Sequence, residues 1–97
     1  MKKSKTLKEV IQASQVPREI ITNEPRITLI GEDEVVVENH KGLILYEEGL
    51  VKINTVRHPL YIKGSGLLIK KMDEEVMVIS GRIRSIEYIS LNEEKEK

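Results

Sequence analysis

Arg26-Ile27-Thr28-Leu29-Ile30-Gly31-Glu32-Asp33-Glu34-Val35-Val36-Val37-Glu38 is the stretch that decides the fold. Apolar side chains recur at every second residue, at Ile27 and Leu29 and again at Val35 and Val37. A period of two belongs to a half-buried strand, because successive side chains point to opposite faces. Gly31-Glu32-Asp33 interrupts the alternation with turn formers. The stretch therefore predicts two strands joined by a short turn.

Toward the C-terminus the same rhythm continues. Asn39-His40-Lys41-Gly42 reads as a turn, followed by Leu43-Ile44-Leu45-Tyr46 and a second turn at Glu47-Glu48-Gly49. Val51 and Ile53 mark the next strand, and Asn54 to Pro59 a looser connection. Leu60-Tyr61-Ile62-Lys63 is closed by Gly64-Ser65-Gly66, and Leu67-Leu68-Ile69 runs to Asp73-Glu74. Val76-Met77-Val78-Ile79 ends at Ser80-Gly81, and a last strand runs from Ile83 through Ile86 and Tyr88 to Ile89. The expectation is an all-β domain over residues 25–91. It holds about eight short, mainly antiparallel strands, arranged as a sandwich, a barrel or a curved meander. Two strands, Leu43–Tyr46 and Val76–Ile79, are apolar on both faces, so each needs cover on both sides. A sheet folded over itself would supply it, as would a second molecule.

Toward the N-terminus the period changes. Leu7, Val10 and Ile11 have helical spacing, Thr6 and Glu9 resemble a capping box, and Pro17 stops the helix near Ser14 to Gln15. Residues 1–24 are expected to hold this short helix and its connection. The charged run over residues 92–97 is expected to be a disordered tail.

Composition narrows function. The chain has 97 residues, enough for one domain, with 16 basic and 16 acidic side chains and a formal net charge of zero. No global field draws it to nucleic acid or an anionic membrane. There is no cysteine, which removes disulfides and thiolate metal sites. Neither a signal peptide nor a run of about 18 apolar residues is visible, so a cytoplasmic location without a direct membrane span is expected.

Catalytic constellations are missing. The two histidines, His40 and His58, both lie in predicted turns and lack metal-ligand spacing. No nucleophile elbow occurs, and Gly64-Ser65-Gly66 has no following helix to hold a phosphate. Asp73-Glu74-Glu75 are consecutive, as in a solvated turn. The expectation is no enzyme, no cofactor and no metal. Lys63, Lys70-Lys71, Arg82 and Arg84 are the basic candidates for nucleic acid, but no stacking aromatics accompany them, so they read as guards of strand edges.

The motifs have a counterpart. Val16-Pro17-Arg18-Glu19, Pro25-Arg26-Ile27-Thr28-Leu29-Ile30-Gly31, Val37-Glu38-Asn39-His40-Lys41-Gly42, Leu60-Tyr61-Ile62-Lys63-Gly64 and Glu75-Val76-Met77-Val78-Ile79-Ser80-Gly81-Arg82-Ile83 occur in this order. They resemble the YabP/YqfC family of sporulation proteins, most of all its YqfC branch, over about Val16 to Ile89. One departure is Asn23-Glu24 before Pro25, where the family more often has Asp-Leu. The resemblance implies a role in endospore development of a Gram-positive bacterium, in the mother cell, with no catalytic activity attached. It implies an integral-membrane sporulation protein as partner, which would place the chain peripherally at a membrane. Self-association into a homo-oligomer is a further partner expectation, and nucleic acid is not one.

Within the motif, Asn39 and Gly42 suit a turn with positive φ. Two readings stand. The motif sets the register of one hairpin, with Arg26 opposite Glu38, or it presents Arg26, Glu38, Asn39, His40 and Lys41 to a partner. A different function is kept open by Ile79-Ser80-Gly81-Arg82-Ile83, which resembles the late motif of Sm-like RNA-binding barrels.

Overall fold

The computed structural model describes residues 22–90. The expected helix, the Val16–Glu19 step and the charged tail lie outside these residues. Those described form six antiparallel strands in one sheet: β1 (Arg26–Ile30), β2 (Glu34–Glu38), β3 (Leu43–Glu47), β4 (Leu50–Ile53), β5 (Leu60–Met72) and β6 (Val76–Tyr88). The order across the sheet is β1-β2-β6-β5-β4-β3. Two hairpins, β1–β2 and β3–β4, thus flank a central pair of long strands.

The all-β class and the antiparallel pairing agree with the sequence reading, but the strand number does not. Gly64-Ser65-Gly66 is not a turn: it lies inside β5, and Ser80-Gly81 lies inside β6. Each long strand takes the place of two predicted short ones. The register between them slips at Lys63/Gly64 and at Ser65/Leu68. Such slips bend a strand and re-aim its side chains. The glycines permit a close backbone approach here. A Cβ on Gly64 would collide with the Arg82 carbonyl, and one on Gly81 would lie 2.7 Å from the Gly66 carbonyl oxygen.

Each flanking hairpin clasps one of these corners by its turn. Gly81 N–H and Ile83 N–H donate to the carbonyls of Asp33 and Glu32 at 3.1 and 3.0 Å. Gly64 N–H and Leu67 N–H donate to the carbonyls of Gly49 and Glu48 at 3.1 and 2.9 Å. Gly66 N–H adds a bond to the Glu48 carboxylate at 2.7 Å. Backbone groups freed by the bends are therefore satisfied locally.

The bent sheet encloses its own core. Val35, Val37, Met77 and Ile79 come from β2 and the first half of β6. Val51, Ile53, Leu60 and Ile62 come from β4 and the first half of β5. With Leu67 they form one buried cluster. A sheet folded over itself thus covers the inner face. Among the described residues the outer faces are less covered: Val76 and Val78 are half-buried, and Ile44 and Tyr46 on β3 are exposed.

Candidate functional site

The Glu38–Gly42 motif does not set a hairpin, because β2 and β3 do not pair with each other. β2 lies between β1 and β6, whereas β3 pairs only with β4. Residues 39–42 carry the chain across from one half of the folded sheet to the other. Asn39 has φ 64° and Gly42 has φ 114°, the left-handed conformations expected of them.

The crossing is fastened on both sides. Asn39 N–H and His40 N–H donate to the Glu75 carbonyl at 2.7 and 3.4 Å, which ties it to the β5–β6 turn. Lys41 N–H donates to the Asn54 carbonyl at 2.7 Å, and Asn54 N–H donates to that of Gly42 at 2.8 Å, which ties it to the end of β4. The Asn39 side-chain amide donates to the Glu24 carbonyl at 3.0 Å and holds the approach to β1.

His40 is 4% exposed. Gly42 N–H donates to its Nδ1 at 3.0 Å, so that nitrogen carries no proton. The other nitrogen, Nε2, therefore carries it and donates to the Asp73 carbonyl at 2.8 Å. Both ring nitrogens are spent on backbone groups within the fold. Lys41 beside it is exposed.

Arg26 stands opposite Glu38 in the β1–β2 register, as the sequence suggested. Both lie on the outer face, since Val35 and Val37 of β2 face the core. The same face carries Val36 and Val78, which are paired with each other, and Thr28 opposite Val36. Ile30 and Leu68, exposed by 48% and 55%, flank this strip, and Lys71 is paired with Val78. Predicted site residues Arg26 and Glu38 thus share one surface with solvent-facing aliphatics, while His40 lies inside.

Two residues noted in the sequence have contacts that the sequence did not disclose. Glu24, at the departure noted before Pro25, is buried and pairs with Arg57 at 2.7 Å, and Arg57 Nε donates to the same oxygen at 2.8 Å. An ion pair therefore occupies this corner. Glu24, Pro25, Arg57, His58 and Tyr88 line a shallow cleft of about 340 Å³. Burial raises the Tyr88 phenol above its ordinary pKa, and the Glu24 charge adds to the effect. Second, the Asp73 carboxylate accepts from Val76 N–H at 2.7 Å and Glu75 N–H at 2.9 Å, building the turn that receives the crossing. These bonds hold its pKa below the usual aspartate value.

Of the basic candidates, Lys63 is paired with Glu87 at 2.8 Å and Lys70 lies 3.8 Å from Glu34. Arg82 and Arg84 are exposed on β6. Among the described residues no group of three His, Asp or Glu side chains converges as a metal site would. No helix among them is long and apolar enough to cross a membrane.

Comparison with known proteins gives this arrangement a context. The model of the YabP family matches residues 22–95. The chain belongs to the YabP family. It is 30% identical over 78 residues to the uncharacterized protein YqfC of Bacillus subtilis (strain 168), covering 80% of this chain and 84% of that one. No solved structure matches the chain. The YabP match takes in all six strands, the Glu38–Gly42 crossing and both glycine corners.

Proposed function

We propose that this YabP-family chain is a non-enzymatic component of endospore development that works through protein–protein contacts. It acts in the mother cell cytoplasm and docks on an integral-membrane sporulation protein, which brings it to the membrane surface. Family membership supports the developmental role. The observation that carries the docking role is the strip of Thr28, Val36 and Val78 on the outer face, flanked by Ile30 and Leu68 and ended by Arg26 and Glu38. An apolar strip with a polar end is the anatomy of a protein interface. Lys41, three residues on from Glu38, is exposed. Asn39 and His40 act from behind, since they fasten the segment that positions Glu38 and Lys41.

Photo-crosslinking in sporulating cells of the native host tests this reading. A crosslinking residue at Val36 or Val78 is expected to capture a membrane protein, whereas one at Ile44 on β3 is not. Val78→Lys is expected to fail to restore sporulation to a deletion strain while the protein stays folded. Heat-resistant spores at normal yield from the deletion strain would defeat the proposal.

A further inference from the structure

Two buried apolar side chains, Tyr61 and Ile89, stand apart from the core cluster. Tyr61 lies between Leu60 and Ile62 of β5, which both face the core, so its ring projects from the opposite side of the sheet. Ile89 follows Glu87, the register partner of Tyr61, by two residues and shares that side. Yet Tyr61 is 2% exposed and Ile89 8%. Within the sheet Tyr61 is flanked by Lys52 and Glu87, with Leu45 beyond Lys52, and all three are half-buried. Neighbours in a sheet stand beside a ring and do not cap it, so its burial takes a layer packed on top. The β4–β5 connection is a poor source, since its apolar residue Val56 is 47% exposed. The structure holds one chain, so the cover belongs to the chain itself.

Two segments lie outside the described residues, 1–21 and 91–97. The second has a single apolar residue, Leu91, followed by Asn and charged side chains. The first has Leu7, Val10 and Ile11 at helical spacing. Its point of attachment also fits. Glu24 lines the same cleft as Tyr88, which immediately precedes Ile89, so the chain enters the fold at the end of the sheet where Ile89 lies. Residues 16–21 can span up to about 20 Å, enough to bring the stripe onto this face. We propose that the N-terminal segment folds back over the outer face of β4, β5 and β6 and lays Leu7, Val10 and Ile11 on Tyr61, Ile89 and Leu45. A helix stripe on an otherwise bare sheet face gives both elements the burial that neither has alone. The strip of Thr28, Val36 and Val78 belongs to the other half of the sheet, so the inference does not rest on the membrane partner.

Hydroxyl-radical footprinting of the full chain tests it, because the three tyrosines serve as reporter and controls. Tyr46 and Tyr88, 44% and 48% exposed, are expected to react, and Tyr61 to be protected. Val10→Asp with Ile11→Asp is expected to abolish the protection of Tyr61 and keep that of Met77 in the core. Leu91→Asp is expected to change neither. Should the double substitution unfold the chain, Met77 reacts as well, and a second measurement decides. A nitroxide on Ser14→Cys, in a chain otherwise without cysteine, is expected to broaden the Tyr61 and Ile89 signals and leave those of Val36 sharp. Tyr61 as reactive as Tyr46 in the unaltered chain, protection that survives the double substitution, or protection lost in Leu91→Asp would each overturn the proposal. So would protection lost on dilution, which would mark a second copy as the cover, or Tyr61 signals untouched by the nitroxide.

Discussion

Removing the His40 imidazole strands two backbone groups at once. Gly42 N–H loses its acceptor and the Asp73 carbonyl loses its donor, both beneath a ring that is itself only 4% exposed. Each unsatisfied buried group costs about 1–3 kcal/mol. His40→Ala is therefore expected to destabilise the protein by about 2–4 kcal/mol in urea unfolding, whereas Lys41→Ala, at an exposed side chain, stays within about 0.5 kcal/mol. Equal effects would show that the motif is a surface feature. Acid provides a second residue-scale test. The Asp73 pKa is lowered in the fold, first by the Val76 amide, then by that of Glu75, with the nearby Lys71 charge adding to the effect. The folded state thus holds this proton less tightly than the unfolded chain does. Its contribution to stability is present above the unfolded aspartate range and is lost as pH falls through the lower folded value. Asp73→Asn is expected to flatten this acid limb of the stability curve and leave the neutral region sloping as before. An unchanged acid limb would deny Asp73 that role.

At the scale of elements, glycine explains both what the sequence disclosed and what it concealed. The alternation from Ile27 to Val37 placed β1 and β2 within a residue of their bounds. Asn39 and Gly42 were legible as positive-φ positions. However, Gly64-Ser65-Gly66 and Ser80-Gly81 use the same residue types as a turn, and locally they read as one. What separates a turn from a bend is the partner strand lying against it, which is a long-range fact. For the same reason the crossing of residues 39–42 between sheet halves resembled a hairpin. Burial of His40 was hidden too, since the acceptor for its ring lies 33 residues away. The corners make a prediction. Gly81 has φ 138° and a Gly66 carbonyl in the way, while Gly42 has φ 114° and open space around its Cβ position. Gly42→Ala carries backbone strain alone, about 1 kcal/mol. Gly81→Ala adds a collision with backbone and is expected to cost about 3 kcal/mol or more. Thermal unfolding of the two variants checks the order, and a reversal would mean that the strands do not touch at this corner.

For the whole molecule, β5 and β6 are the beams shared by both halves. Neither half keeps its core if these strands separate, since Ile79 and Ile62 belong to the same cluster. Unfolding is expected to be a single transition. Methyl signals of Val35 and Val51, one from each half, should disappear at the same urea concentration. Different midpoints would identify two domains where the shared core implies one.

The central position of β6 has a consequence for synthesis. Val35 and Val37 emerge early from the ribosome, but the residues that shield them, Ile79 and Met77, follow much later. Until then the nascent chain carries a hairpin with one bare aliphatic side, and slow non-local closure of this sort is when chains aggregate. A message truncated before Val76 would yield not a partly working protein but a sticky fragment, and its fate would fall to chaperones and proteases.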